Sequence, residues 1–248
     1  LLTDNYLDNP KIKFINKKNF SLNFKKRILG KKSEYKNKTE KIIYDFFSYI
    51  EKEHPRNSCR ELYNTLYNLQ NSQEFSFYLC NKITSEKNFY KNIFKISLEK
   101  GGLAVLADSL LIDNSISKSH MKLFYGLGTI LQLIDDLTDI KKDIKTNNYT
   151  IFTLDIIENS TLDESVQKTI NYLFTLFDEN IFEKENFYLK DIFIELSMLM
   201  IFEAVGKNKY YFSHNFLNQL ENYFSFEYSY FKKISKNIQK ELKYLIFS

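Results

Sequence analysis

A chain of 248 residues, 44% hydrophobic and 27% charged, has the balance of one soluble globular domain, which excludes wholesale disorder. Only 6 Gly and 2 Pro interrupt it; strand-rich folds need more turn residues, so long helices and an all-α fold are expected. The net charge of +4 rests on 35 basic residues, of which only Arg27, Arg56 and Arg60 are arginine, and lysines interleaved with acids do not form the basic stripe a nucleic-acid partner would need.

The first residues carry Asp4-Asn5-Tyr6-Leu7-Asp8, in which Asp4 and Asp8 share one face if the segment is helical. Residues 11–39 are polar and rich in Lys and Asn, which predicts a mobile connector. From Thr39 to His54, Ile42, Ile43, Phe46, Phe47 and Ile50 recur at helical spacing, and Pro55 ends that helix by pushing His54 out of the α region. Asn57 or Ser58 is the predicted cap of a second helix running to about Cys80. Ser85 is the predicted cap of a third, through Phe94, Leu98 and Leu106 to about Ile112. A fourth starts near Ser117 and carries Leu123, Leu127, Ile130, Leu131 and Ile134. Later helices are predicted at Glu164–Glu179, Leu189–Val205 and Asn215–Phe247. Long helices with short polar connections describe a large antiparallel bundle. No repeat or composition shift divides residues 1–248, so a single domain is expected. Cys59 and Cys80 are too few for a disulfide framework and are expected as free thiols. No apolar run approaches the ~18–20 residues of a membrane span and no signal peptide is recognisable, so a cytoplasmic protein without an integral membrane segment is expected.

The most informative stretch is Tyr125 to Asp143, YGLGTILQLIDDLTDIKKD. Asp135, Asp139 and Asp143 are spaced i, i+4, i+8, with Asp136 beside the first, so three carboxylates line one helix face over two turns. The apolar lead-in predicts a helix that is buried when it meets Asp135. Like charges at i+4 repel, and a hard divalent cation would relieve them: Mg²⁺ is typically held by a few carboxylates and substrate phosphates. A solvated acidic face neutralised by Lys141, Lys142 and Lys145 is the competing explanation.

The segment QLIDDLTD resembles the second aspartate-rich motif of trans-prenyl diphosphate synthases, and the longer Asp135–Asp139–Asp143 frame resembles the metal triad of terpene cyclases, with Asp in place of the usual residues. Asp4-Asn5-Tyr6-Leu7-Asp8 resembles a first aspartate-rich motif with Asn as its second member, 131 positions before Asp135. Lys100 in ISLEKGGLAVLADSLL resembles the lysine that grips diphosphate in prenyltransferases; a close helix contact at Gly101 beside an exposed Lys100 is the alternative. Lys209-Tyr210 stands about where cyclases carry an Arg-Tyr pair. Together the segments resemble the class I isoprenoid synthase superfamily, nearest to its bacterial class I isoprenoid biosynthesis enzymes. The match covers about the last three quarters of a full-length synthase, so the bundle is expected to lack its N-terminal helices.

The resemblance implies a Mg²⁺-dependent enzyme that ionises an allylic prenyl diphosphate, for cyclisation or prenyl transfer. It implies metal ligands at Asp4, Asp8, Asp135, Asp139 and Asp143, catalytic roles for Asp135, Asp136 and Asp139, and diphosphate contacts from Lys100, Gln132 and Lys145. A homodimer is a possible assembly. No Arg-Arg-Gly follows the first motif, which favours a terpene synthase-like reaction over chain elongation. A non-catalytic, prenyltransferase-like helical subunit or interaction scaffold is the rival function.

Overall fold

The computed structural model describes residues 2–9, 11–80, 89–159, 161–178, 187–233 and 237, with the side chains of residues 2, 4, 8, 77–80, 159, 178 and 187 outside the description. As expected, the described residues are all-helical, with no strand among them. The chain forms two compact units, Leu1–Gln132 and Leu133–Ser248.

Unit 1 contains helices α1 (Leu2–Asp8), α2 (Phe14–Ile28), α3 (Lys38–Glu53), α4 (Arg60–Cys80), α5 (Phe89–Ile112) and the first part of α6 (Lys118–Thr146). Residues 11–39, expected as a mobile connector, are largely the helix α2. Its Lys- and Asn-rich surface conceals Phe20, Phe24 and Ile28 at i, i+4, i+8, all buried in the core of unit 1. The helix ends in a Schellman arrangement. Gly30 takes the left-handed backbone (φ +74°), and the Gly30 and Lys31 N–H groups donate to the Arg27 and Lys26 carbonyls at 3.0 and 2.9 Å. The Arg56 guanidinium also donates to the Arg27 and Ile28 carbonyls and to Glu51. It thus neutralises the negative end of the helix.

The α3 boundaries match the predicted helix closely, but its inward stripe is narrower. Ile43, Phe47 and Ile50 are buried with Tyr44, whereas Ile42 and Phe46 lie on the exposed face. Asn37 caps the helix by accepting from the Glu40 N–H at 2.9 Å. Buried Glu40 in turn accepts from the Lys36 N–H (2.7 Å), the Asn37 amide (2.8 Å) and the Tyr6 hydroxyl (2.7 Å). Burial, and then the bond to Glu40, push the Tyr6 hydroxyl pKa up to about 12, so this tether of α1 to α3 stays protonated. The α4 start differs from the expected cap: the Ser58 hydroxyl donates to the Pro55 carbonyl at 3.0 Å in a turn instead of accepting from the helix. The predicted cap Ser85 lies outside the described residues.

Helices α5 and α6 touch at glycines. A methyl group on Gly101 would lie 2.3 Å from the Gly128 carbonyl oxygen, and one on Gly128 would lie 2.3 Å from that of Gly101. Backbones this close leave no room for any side chain.

Unit 2 contains the rest of α6, then α7 (Ile151–Asn159), α8 (Asp163–Asp178), α9 (Phe187–Lys207), a 3-10 turn at Lys209–Tyr211 and α10 (His214–Phe224). Its buried side chains include Phe152, Leu162, Val166, Leu173, Phe177, Ile201 and Phe202. Helix α7 lacks an amphipathic signature. It starts with a reciprocal pair in which the Thr153 N–H donates to the Thr150 hydroxyl (3.3 Å) and the Thr150 N–H donates to the Thr153 hydroxyl (2.8 Å). The helix expected over Asn215–Phe247 stops at Phe224, because Ser225 takes a left-handed backbone with φ 57°; residues 228–233 are helical again. Phe202 is surrounded by Phe224, Phe226, Tyr228 and Phe231, so these rings are spent on core packing.

Replacing Gly128→Ala should lower stability by about 1–3 kcal/mol in chemical denaturation, since overpacking outweighs the ~1 kcal/mol gained in helix propensity. An unchanged or raised midpoint would mean that the α5–α6 crossing is looser than described.

Candidate functional site

Helix α6 carries the acidic ladder on its last three turns, in unit 2. The expectation of burial at Asp135 is corrected: Asp135 is exposed, and Asp136, one position on, is the buried member of the pair. The apolar residues Leu133, Ile134, Leu137 and Ile140 set the inward face, and a step of 100° along the helix turns Asp135 away from it. Asp139 is half-buried and Asp143 is buried. Lys142 pairs with Asp139 at 2.5 Å, and the Asn148 side-chain amide donates to Asp143 Oδ1 at 3.0 Å.

The electrostatics bear on whether the three spaced carboxylates act on one another. Burial pushes the Asp143 pKa up, and the charges of Asp139 and Asp135 push it the same way, against the Asn148 hydrogen bond and the Lys142 charge. Asp143 therefore feels both other rungs of the ladder, as the i, i+4, i+8 spacing requires. Two features that the sequence reasoning passed over hold this stretch of α6. Asn208 is fully buried and donates to the Leu137 and Ala204 carbonyls at 2.7 and 3.1 Å, while Lys141 donates to the Lys207 carbonyl at 3.0 Å. Asn148 follows Asn147, whose φ of 52° turns the chain out of the helix. An Asn pair just after a helical pattern is a legible signal for such an exit.

In unit 1, the Gln132 Cβ lies against Gly101, so Gln132 adjoins the Lys100–Gly101 segment. Both Lys100 and Gln132 are half-buried. The glycines themselves serve the close helix contact, which was one of the two explanations open for that segment. Lys145 is exposed in the last turn of α6. Asp4 and Asp8 lie on helical backbone in α1, but their side chains are outside the described residues. Lys209 is engaged 3.5 Å from Glu221 and over the Tyr228 ring, and Tyr210 is almost fully exposed.

The donor chemistry suits Mg²⁺, because the ladder offers only hard carboxylate oxygens. Among the described residues no group of three or more His, Cys, Asp or Glu is gathered to hold a metal ion. One or two carboxylates are the usual protein share for Mg²⁺ when phosphates and water complete its shell, and Asp135 and Asp139 fit that smaller demand. Among the described residues no helix is long and apolar enough to cross a membrane. No protein-family profile, curated protein or solved structure matches the chain.

The raised Asp143 pKa has a consequence for stability. The folded state holds this proton more tightly than the unfolded chain, where an Asp titrates near ~3.9. Stability is therefore lost as pH rises from the unfolded value through the raised folded value. Asp143→Asn, which keeps an acceptor for Asn148, should raise the unfolding midpoint at neutral pH. That advantage should vanish below about pH 3.5, where the carboxyl is protonated in both states. A variant less stable than the parent at neutral pH would contradict this electrostatic account.

Proposed function

We propose that the chain is a Mg²⁺-dependent class I isoprenoid synthase-like enzyme acting on an allylic prenyl diphosphate. The observation that carries this reading is the i, i+4, i+8 spacing of Asp135, Asp139 and Asp143 along helix α6, where burial and then the charges of Asp139 and Asp135 raise the Asp143 pKa, in a segment whose sequence resembles a metal-binding motif. In this reading Asp135 and Asp139 are the chief metal ligands and Asp143 completes the ladder. Asp136 supports the motif from its buried side. Lys100, Gln132 and Lys145 bind diphosphate oxygens, and Asp4 and Asp8 enter as metal ligands by resemblance alone.

The chemistry asked of these residues is charge management. The allylic C–O bond breaks with its electron pair leaving on diphosphate, and an allylic cation remains to be attacked by an alkene. Bound Mg²⁺ would supply most of the positive charge that stabilises the departing group. Lys100 and Lys145 add ammonium charge, and Gln132 donates hydrogen bonds that orient the diphosphate. No general acid is needed for departure, which agrees with a residue set of carboxylates and lysines.

A second reading, a non-catalytic helical subunit or scaffold, is favoured by the Lys142–Asp139 ion pair and by the lack of a three-residue metal group among the described residues. In that case the acids are a solvated face neutralised by nearby lysines.

Thermal unfolding with Mg²⁺ and inorganic diphosphate separates the two. Binding at ~100-fold over Kd stabilises the native state by about 2.7 kcal/mol, a rise of roughly 5–10 °C for a chain of this size. The rise should need both components, disappear in Asp135→Ala and shrink in Lys100→Ala. No rise in a cooperatively unfolding sample would favour the scaffold reading.

A further inference from the structure

Unit 1 holds a cavity of about 710 Å³ between α4 and α5, bordered by Lys25 of α2 and Tyr125 of α6. The α4 wall presents Asn68, Asn71 and Phe75 at helical spacing, and the α5 wall presents Asn92 and Glu99. Its volume is that of a small-molecule site, but its lining is unlike that of a pocket for a hydrocarbon chain.

Three features define what would fit. The charges are balanced internally: Lys25 pairs with Glu74, and Lys95 lies 3.6 Å from Glu99, which also accepts from the Ser72 hydroxyl at 3.0 Å. A ligand with net charge would have to break a pair to find a partner, so a neutral one is favoured. The side-chain amides of Asn68, Asn71 and Asn92 make no hydrogen bond to other described residues. Each amide offers a donor pair and an acceptor side by side, which matches hydroxyl groups able to play both parts. An apolar ligand would bury these amides unsatisfied at a cost of about 1–3 kcal/mol each. Finally, Phe75 and Tyr125 add aromatic surface to the wall, against which the C–H faces of a ring can pack.

We propose that this cavity binds a neutral, hydroxyl-rich molecule of sugar size. The inference rests on unit 1 alone, needs no metal and is independent of the diphosphate chemistry assigned to α6.

Saturation-transfer NMR on the full chain tests it, with glucose and maltose as probes and glucose 6-phosphate and adenosine as comparisons. At about 10 mM sugar, enough to load a site with Kd near 1 mM, ring-proton signals should appear for glucose or maltose. They should be weaker for glucose 6-phosphate. Asn71→Leu and Asn92→Leu, half-buried positions at which circular dichroism checks that the fold is kept, should each weaken sugar binding roughly five-fold or more. No transfer from either neutral sugar to the folded protein would overturn the proposal. So would transfer unchanged in both variants, or transfer from adenosine alone, which would mark a nucleoside site.

Discussion

Helix α6 has to do two things that conflict within a few residues. Around Gly128 it must approach another backbone with no side chain between them, and from Asp135 it must carry carboxylates stacked one turn apart. The first demand favours small and apolar residues; the second places like charges where each raises the cost of the next. The chain meets the conflict by rotating the acids around the helix. Leu133, Ile134, Leu137 and Ile140 keep the core face, Asp135 goes to the surface, and Asp136 and Asp143 are buried. Buried carboxylates are costly without partners. The Asn148 amide, the Lys142 ammonium and the Asn208 and Lys141 braces on the backbone are what hold the stretch in place.

The three arginines, scarce among so many lysines, illustrate how little of the basic charge is placed with geometric precision. Arg56 is a fork across the end of α2, holding two carbonyls and Glu51 while lying over the Tyr63 ring. Arg27 pairs with the same Glu51. These planar donors are used where several acceptors converge, and they stabilise unit 1. Arg60, the third, is exposed at the start of α4.

Much of the helical architecture was legible because amphipathic stripes and helix stops are local. The α3 and α8 stripes, the long apolar run of α9 and the stop at Pro55 needed no tertiary information. Failures came where local chemistry hid the core or broke a pattern without a usual breaker. Phe20, Phe24 and Ile28 were masked by lysines and asparagines, and only their i, i+4, i+8 spacing betrayed α2. Helix α7 begins with a Thr–Thr pair in place of the customary acidic capping partner, and Ser225 ends α10 in a conformation expected of Gly or Asn. In the candidate site, the i, i+4, i+8 spacing was legible, and with it that the charges of Asp135 and Asp139 would act on Asp143. Spacing could not say which member of the Asp135–Asp136 pair is buried, because that depends on which neighbours face the core.

Manganese in place of magnesium gives the most direct test of the metal–diphosphate account. An electron paramagnetic resonance titration counts free Mn²⁺ with and without inorganic diphosphate, for the parent chain and for Asp139→Ala. Protein-bound Mn²⁺ that requires diphosphate and is lost in the variant is the predicted result. Mn²⁺ that stays free of the folded protein, with diphosphate present or not, would contradict it and leave the acidic face of α6 as a structural feature neutralised by its own lysines.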